Sequence, residues 1–460
     1  MIDGLMTYAK CKESGQAWLG SVPSHWPVLP NRAIFAEVKD RDHPDEQMLS
    51  VTITRGIVQQ KTLLENSSKK DSSNQDKSKY KLIQPRDIAY NKMRAWQGAI
   101  AASDFRGIIS PAYVVMRLRE EENARYFHHL YRTPQFAKEA ERWSYGITSD
   151  MWSLRPEHFK LIYSTRPPRA EQDTIVRFLD HAHGQVERAI RAKKKLIALL
   201  NEQKQAIVHR AVTRGMNPKV AFKPSGLSWL GEIPKHWEVS RSKYVFHEVD
   251  DRSATGQELR LSMCQKRGLI PSSEIEVKRL VSESAVGAKI CEAGDLVLNR
   301  LKAHLGVFAL ASVRGLVSPD YTILRPARAM CPRYFELIYR TPACRVELRK
   351  RAKGIVQGFW RLYTDDFYDI RVPVPPVPEQ EKIVKQLDSD LATLNTALAR
   401  TEREIGLLRE YRTRLVADVV TGKLDVRAAA AKLPAETEIP AENVAPDESA
   451  EEIETEEAEA

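Results

Sequence analysis

The sequence predicts a mixed α/β protein with an internal repeat. We expect two similar α/β domains separated by two long helices, which form an antiparallel coiled coil with a pseudo-two-fold relation between the halves. Residues 14–28 (SGQAWLGSVPSHWPV) recur at 225–239 (SGLSWLGEIPKHWEV), and 107–117 (GIISPAYVVMR) recur at 315–325 (GLVSPDYTILR). The offset of 208 residues, from 107 to 315, far exceeds the roughly 20 to 50 residues of a solenoid repeat. Each copy is therefore a whole domain with its connector.

Each repeat begins with short strand-like segments. These runs are rich in β-branched and aromatic residues and are separated by Gly, Pro and Asp, which predicts strands. They are MLSVTIT, IAYNKM, AIAAS and YVVMRL in the first repeat and LRLSMC, DLVLNRL, VFALAS and YTILRP in the second. Residues 126–143 predict a helix, so the globular parts are of mixed α/β class.

A long proline-free run follows each globular part, and both runs carry a heptad pattern. Apolar residues recur in alternating steps of four and three, with mostly charged residues between them, which is typical of a coiled coil. The predicted spacer positions are Ile175, Leu179, Val186, Leu196, Leu200, Ile207, Leu387, Leu391, Leu394, Leu398, Ile405, Leu408 and Leu415. A helix of about 40 residues overruns a domain whose radius of gyration is roughly 15 Å. This favours pairing of the two helices over burial of each on its own domain.

The charge distribution separates a basic body from an acidic tail. The chain has a formal net charge of +10, but residues 433–460 contain eleven Asp and Glu and no Lys or Arg. Removing those 11 negative charges leaves +21 on the first 432 residues. A basic excess is the pattern expected of a polyanion-binding protein, although surface solvation alone accounts for many basic proteins.

Composition and motifs argue against other classes of protein. No apolar run approaches the roughly 18 residues of a membrane helix, and the N-terminus lacks a signal-peptide pattern, so we expect a cytoplasmic protein. The five cysteines show no CxxC spacing, which indicates reduced, structural thiols and no metal site. The sequence contains no NPPY, GxGxxG or GxxxxGK[ST] motif, so we expect no catalytic residues in this chain.

The order of the duplicated motifs resembles that of the specificity subunit of type I restriction-modification systems. The resemblance lies in the paired SGQAWLGSVPSHW and SGLSWLGEIPKHW, SPAY and SPDY, and PPRAEQDTIVRFLD and PPVPEQEKIVKQLD segments, and it covers nearly the whole chain except the acidic tail. It implies a target-recognition domain at 1–166, a central conserved helix at 167–222, a second target-recognition domain at 223–374 and a distal conserved helix at 375–425. The composition of the remaining segment, 426–460, predicts a disordered acidic tail.

The resemblance also implies a function. Such a subunit has no catalytic activity and recognises a bipartite, asymmetric DNA target, with one half-site per domain and a spacer set by the helices. The implied partners are double-stranded DNA, two methyltransferase (modification) subunits and motor-nuclease (restriction) subunits, with no membrane. S-adenosylmethionine, ATP and Mg are expected on those partner subunits, and no cofactor is expected on this chain. The alternatives are a coiled-coil scaffold or regulator that no longer reads DNA, and an enzyme without a recognisable motif.

Two basic segments supply candidate DNA-binding residues. Within 66–81 they are Lys69, Lys70, Lys77 and Lys79, which either contact phosphates or belong to a solvated loop. The segments NKMRAWQG and NRLKAHLG set Lys92, Arg94 and Trp96 against Arg300, Lys302 and His304, and alternation along a strand puts each set on one face. Arg and Lys pair with guanine edges in the major groove, whereas their phosphate contacts carry no sequence information. A merely exposed strand face is the alternative.

Tryptophans repeat at equivalent positions in the two halves. Trp26 corresponds to Trp237, and Trp152 corresponds to Trp360. Residues that read unlike half-sites should differ between the repeats, so the repeated tryptophans indicate structural anchors.

Overall fold

The chain divides into two compact units. The computed structural model describes residues 5–65, 76–146, 151–264, 267–275, 285–354 and 360–434. Unit 1 comprises residues 1–191 and 404–460, and unit 2 comprises residues 192–403. Each unit therefore contains one α/β repeat together with one part of each long helix.

The first repeat folds into short strands and helices and ends in a long helix. Its strands are β1 (Cys11–Glu13), β2 (Ser21–Pro23), β3 (Val28–Pro30), β4 (Phe35–Val38), β5 (Leu49–Thr52), β6 (Gly56–Gln59), β7 (Lys81–Ile83), β8 (Ile88–Asn91), β9 (Ile100–Ala102), β10 (Gly107–Ile109), β11 (Tyr113–Leu118) and β12 (Tyr163–Thr165). Its helices are α1 (Asn31–Ile34), α2 (Gln60–Glu65), α3 (Ala124–Tyr131), α4 (Pro134–Arg142), α5 (Pro156–Phe159) and the long α6 (Arg169–Arg214). An antiparallel sheet has the order β4-β11-β8-β9.

The second repeat has the same topology. Its strands are β13 (Phe222–Pro224), β14 (Glu232–Pro234), β15 (Glu238–Arg241), β16 (Phe246–Val249), β17 (Leu261–Cys264), β18 (Gly268–Pro271), β19 (Lys289–Cys291), β20 (Leu296–Asn299), β21 (Phe308–Leu310), β22 (Gly315–Val317), β23 (Tyr321–Pro326) and β24 (Arg371–Val374). Its helices are α7 (Pro332–Tyr339), α8 (Pro342–Arg351), α9 (Thr364–Tyr368) and the long α10 (Val377–Val420), which is followed by α11 (Arg427–Ala431). The order β16-β23-β20-β21 matches that of the first sheet, so the predicted duplicated α/β fold is confirmed.

The helix predicted for residues 126–143 is instead two helices, α3 and α4. The side chain of Thr133 accepts a hydrogen bond of 3.2 Å from the backbone N–H of Phe136, which caps the start of α4. Pro134 occupies the first turn of α4. Because proline has no N–H to donate to the preceding turn, α3 ends and a new helix begins.

An ion pair whose carboxylate is buried joins the two central strands of each sheet. Asp87 immediately precedes β8 and accepts two hydrogen bonds of 2.8 Å from Arg117 on β11. In unit 2, Asp295 accepts hydrogen bonds of 2.9 and 2.8 Å from Arg325 in the same arrangement. These bonds raise the pKa of both guanidinium groups. Bidentate pairing restricts the geometry of both side chains, so the two central strands have the same arrangement in each repeat.

In unit 1 the beginning of α6 packs against the end of α10. Apolar side chains of both helices share one buried cluster. Arg177 donates a hydrogen bond of 3.0 Å to the carbonyl of Leu433, and Arg412 donates one of 2.5 Å to Glu187. The partner's number falls as the α6 number rises, so the helices are antiparallel.

In unit 2 the end of α6 packs against the beginning of α10. Lys204 donates a hydrogen bond of 2.7 Å to the side chain of Asn395. Gly215, one residue beyond α6, lies beside Glu379 in the first turn of α10. The pairing within this unit is therefore antiparallel as well, as predicted.

All but one of the predicted spacer residues are buried or half-buried. Ile175, Leu179, Val186, Leu387, Leu391, Ile405 and Leu415 are buried, and Leu200, Ile207, Leu394, Leu398 and Leu408 are half-buried. The prediction for Leu196 is wrong, because its side chain is 45% exposed while Ile197 is half-buried. The same one-residue shift appears earlier in α6: Ala189, the next heptad position after Val186, is only half-buried, whereas its neighbour Ile190 is buried. A helix with 3.6 residues per turn drifts by about 20° per heptad, which moves the buried stripe to the next residue.

A buried tyrosine closes the C-terminal end of each long helix. The hydroxyl of Tyr126 donates a hydrogen bond of 2.9 Å to the carbonyl of Val420. The hydroxyl of Tyr334 donates one of 2.8 Å to the carbonyl of Val212. Burial raises the pKa of both hydroxyls, so they remain protonated donors. The last carbonyls of a helix have no partner within it, and the tyrosines supply one.

A buried glutamine fixes the start of each long helix. The side chain of Gln172 accepts a hydrogen bond of 2.8 Å from the backbone N–H of Asn123 and donates one of 2.8 Å to the carbonyl of Pro167. Gln380 makes the two equivalent contacts at the start of α10. Each α/β repeat therefore fixes the start of one long helix and the end of the other.

The repeated Trp26 and Trp237 are structural anchors, as predicted, since both are fully buried beside a glycine that ends a long helix. Gly422 has φ +77° and Gly215 has φ +71°, in the left-handed region. A Cβ at position 422 would lie 2.7 Å from Pro23 Cγ and 2.9 Å from Trp26 Cζ3. The tryptophan packing thus requires glycine for space as well as for backbone conformation.

We expect Gly422→Ala to destabilise unit 1 far more than Gly20→Ala does. Gly20 also has a positive φ, +66°, but no atom lies within 4 Å of the place that a Cβ would take, so only backbone strain of about 1 to 2 kcal/mol is added. At Gly422 the same strain is joined by overpacking, typically another 1 to 3 kcal/mol. Urea denaturation followed by tryptophan fluorescence measures both changes, and equal losses would contradict the packing argument.

Two neighbouring histidines of α3 are held in their neutral form inside unit 1. The His129 side chain is 17% exposed, and its Nε2 lies 4.0 Å from an Asp180 carboxylate oxygen, but that carboxylate already accepts hydrogen bonds of 2.7 and 2.8 Å from Arg125. Burial, with nearby Arg125 and His183, lowers the pKa of His129 to about 3. Burial also lowers the pKa of His128, whose Nδ1 accepts a hydrogen bond from the backbone of Ala102.

The stability of unit 1 is expected to fall between pH 6.5 and pH 5. An unfolded histidine binds a proton near its ordinary pKa of 6.5, whereas folded His129 does so only near pH 3, so acid favours the unfolded chain. The loss from His129 should reach about 2 kcal/mol at pH 5. Urea denaturation at pH 7 and pH 5 measures it. His129→Gln should reduce the pH dependence, while His247→Gln, an exposed control, should not.

Candidate nucleic-acid interface

Equivalent loops follow the central strands β8 and β20. β8 ends at Asn91, and a turn and a short 3-10 helix (Ala95–Gln97) come next. The side chain of Asn91 accepts a hydrogen bond of 3.0 Å from the backbone N–H of Met93, which stops the strand. Asn299 does the same for Leu301 at 3.1 Å. The predicted alternation of the basic residues along a strand is therefore wrong, although DNA contact by these residues stays a prediction.

In unit 1 the loop after β8 presents cations and is supported by an aromatic pair. Arg94 is exposed and Lys92 is half-buried. Trp96 donates a hydrogen bond of 2.9 Å to the carbonyl of Met93 and packs edge-on against Trp152 with ring centroids 5.7 Å apart. Trp96 therefore shapes the loop from within.

In unit 2 the corresponding side chains are more restrained. Arg300 donates a hydrogen bond of 2.8 Å to the carbonyl of Asp320, and its side chain is 21% exposed. His304 packs edge-on against Trp360 at 5.1 Å, and burial lowers its pKa. Lys302 is exposed. Of the three predicted residues, Lys302 is thus the most accessible to a ligand.

The basic segment before β7 is partly described. Lys69 and Lys70 lie outside the described residues. Lys77 is half-buried and Lys79 is exposed. Both lie within three residues of Tyr80, just before β7, the strand that begins with Lys81.

A cluster of cations in unit 1 was not foreseen. Lys81 on β7 is 7% exposed and donates a hydrogen bond of 2.5 Å to the carbonyl of Tyr113. Burial, together with the positive charges of Lys92, Arg41 and Lys39, lowers its pKa, although Glu37 opposes that effect. Arg41 joins the group because its backbone forms an antiparallel bridge with Lys81. No local sequence signal announces a pairing between residues so far apart in the chain.

The described residues offer no metal-binding arrangement and no membrane-spanning element. Within these ranges no three His, Cys, Asp or Glu side chains come together in a way that could ligate an ion. In the same part of the chain, no helix combines the length and apolar character of a bilayer crossing.

Two curated relatives resemble this chain in sequence over more than 300 residues. No protein-family model matches the chain. It is 24% identical over 316 residues to the type I restriction enzyme EcoKI specificity subunit of Escherichia coli K12, an alignment that covers 62% of this chain and 66% of that subunit, slightly under two thirds. It is 22% identical over 377 residues to the type I restriction enzyme MjaVIII specificity subunit of Methanocaldococcus jannaschii, covering 76% of this chain and 83% of the relative.

The fold also has a counterpart among solved structures. A chain from a structure that concerns complex assembly and conformational transition of a type I restriction-modification system matches with a TM-score of 0.62 at 15% identity. The match covers 87% of this chain and 98% of that chain. At this identity the likeness concerns the fold alone. The curated relatives confirm the resemblance drawn from the duplicated motifs: the chain is a homologue of the specificity subunits of type I restriction enzymes.

Proposed function

We propose that this chain recognises DNA for a type I restriction-modification complex, with each α/β domain reading one half of a bipartite, asymmetric target. One observation carries the proposal: the two repeats share the same sheet and the same ion pair, but the loops after β8 and β20 carry different side chains. The Asp87–Arg117 pair recurs as Asp295–Arg325 with the same geometry. On that frame the loop after β8 carries Lys92 and Arg94, where the loop after β20 has a restrained arginine and an exposed lysine.

A common frame with divergent loops suits two unlike half-sites. Arg94 and Lys302 are exposed at equivalent points after β8 and β20. A bidentate arginine contact to guanine discriminates against a wrong base by roughly 1 to 3 kcal/mol, whereas lysine acts as a point charge. Different side chains on the same frame should therefore select different bases.

We further propose that catalysis belongs to partner subunits. The relatives are named as specificity subunits of restriction enzymes, which supports a division of labour between this chain and others. In this proposal modification subunits supply S-adenosylmethionine-dependent methylation, and motor-nuclease subunits use ATP and Mg. The antiparallel helices α6 and α10 would set the spacer between the half-sites.

Mapping methylated adenines in the host with and without this gene tests the central proposal. The expected result is loss of one split, asymmetric motif that is modified on both strands. Arg94→Ala should then relax only one half of the motif and Lys302→Ala only the other, because each contact belongs to one domain. If the maps are identical and the purified chain shows no sequence-selective DNA binding, the scaffold alternative is favoured instead.

Lengthening both long helices should change the spacer and leave the half-sites intact. The change is one heptad duplicated between Lys193 and Gln203 of α6, with a matching heptad between Thr396 and Gly406 of α10, so that the pairing seen at Lys204 and Asn395 is kept. Each heptad adds about 10 Å of helix, or roughly three base pairs of duplex. Methylation mapping of the variant measures the new motif. Altered half-site bases with an unchanged spacer would contradict a ruler role.

A further inference from the structure

The two units carry equivalent faces around one buried lysine. In unit 1 this face, termed the β7 face, comprises Lys39, Arg41, Lys81 and Lys92. In unit 2 the equivalent β19 face comprises Asp250, Arg252, Lys289 and Arg300. The equivalence rests on matching backbone bridges, since Arg41 pairs with Lys81 and Arg252 pairs with Lys289. One position, Lys39 in unit 1 and Asp250 in unit 2, thus differs in the sign of its charge.

The β19 face neutralises its own cations. The Lys289 side chain is 4% exposed, and its amine lies 3.1 Å from Asp250 and 3.6 Å from Glu248. Asp250 also accepts hydrogen bonds of 3.1 and 3.2 Å from Arg252. Although burial opposes the change, hydrogen bonds from Lys289 and Arg252 lower the pKa of Asp250. Its negative charge is therefore maintained between two cations.

Asp320 contributes a second carboxylate to unit 2 beside the loop after β20. One of its oxygens lies 3.1 Å from Arg361 and 3.9 Å from Arg300. The carbonyl of the same residue accepts the hydrogen bond of Arg300. Asp320 thus restrains Arg300 and compensates its charge.

The β7 face lacks both compensations. Lys39 replaces the carboxylate of Asp250, and Ala112 occupies the place of Asp320 in the SPAY segment. In the described part of the chain no carboxylate comes within ion-pair distance of Lys81, whose amine donates to the Tyr113 carbonyl instead.

Glu37, the carboxylate whose charge raises the pKa of Lys81, is already engaged. It accepts a hydrogen bond of 2.8 Å from Lys160 and lies 3.5 Å from Lys39. Those contacts lower its pKa, although burial opposes the change. Among the described residues, Arg41, Lys81 and Lys92 therefore have no carboxylate within ion-pair distance.

We infer that the β7 face holds backbone phosphates of duplex DNA, which makes the first recognition domain the electrostatic anchor of the chain. The inference rests on the proposed DNA-recognition function and adds that the first domain contacts DNA phosphates more strongly than the second. Phosphates would supply the negative charge that Asp250 and Asp320 supply in unit 2. Such contacts give affinity and position without reading bases, so base reading remains with the loops.

Reciprocal charge changes test the inference on the full chain. The side chains of Lys39 and Asp250 are 67% and 53% exposed, so each position has room for the new side chain. Affinity for a duplex pool of randomised sequence is measured as a function of salt concentration. Lys39→Asp should weaken binding and lower the slope of log affinity against log salt by about one to two. Asp250→Lys should strengthen binding and steepen the slope.

A second variant and a control separate the face from charge in general. Ala112→Asp introduces the carboxylate of unit 2 into unit 1 without removing a lysine, and it should also lower the slope. Lys12→Asp changes an exposed lysine on β1 by the same charge, and it should leave the slope closer to that of the unchanged chain than Lys39→Asp does. Thermal melting confirms that the variants are folded.

The outcomes distinguish this inference from the proposed function. If selection from the pool still yields a split motif but Lys39→Asp and Lys12→Asp change the slope equally, the anchor is wrong and the recognition function stands. If the unchanged chain binds no duplex but its removal from the host still erases a methylated motif, the anchor is wrong and the recognition function stands. If it binds no duplex and its removal leaves the methylation map unchanged, both are wrong. If Lys39→Asp weakens binding of polyglutamate but not of duplex, the β7 face serves an acidic protein partner.

Discussion

The final carbonyl groups of two long helices must find hydrogen-bond partners outside those helices, and the rest of the structure depends on how they do. Tyr126 supplies the partner for α10, and Tyr334 supplies it for α6. Both tyrosines belong to α/β repeats, so each of these two hydrogen bonds forms only when the repeat beside the helix end is folded. Gln172 and Gln380 fix the opposite ends to the same repeats. The helices and the repeats are therefore mutually required, and the tryptophan–glycine contacts fill the remaining space at each junction.

Local periodicity made much of the fold predictable. Alternating β-branched residues marked the strands, and heptads marked α6 and α10, because each pattern reflects contacts that recur along one element. The failures have physical causes of the same scale. Asn91 ends β8 with a side-chain hydrogen bond, which turns the predicted strand face into a loop. Leu196 is exposed because the buried stripe of a helix with 3.6 residues per turn drifts from a strict heptad.

The candidate site was less predictable than the fold because its key neighbours meet through non-local pairing. The exposed Arg94 and Lys302 were identifiable from the repeat alignment. Lys81 was not, since its partners Arg41 and Tyr113 lie far from it in the sequence. The repeat alignment did contain one signal: SPAY and SPDY differ at Ala112 and Asp320. A charge difference inside an otherwise repeated motif indicates that the position does not serve the fold that both repeats share.

The drift of the buried stripe limits which helix lengths preserve pairing. Seven inserted residues rotate the far part of a helix by about 20° in one direction, and eleven rotate it by about 20° in the other. The two together make about 18 residues, or five whole turns, and return the original face. We therefore expect the lengths of α6 and α10 to change during evolution by seven or eleven residues at a time. One such insertion rotates the buried face by only about 20°, which the helix pairing tolerates. A seven-residue and an eleven-residue insertion together restore the original face, because their rotations are opposite.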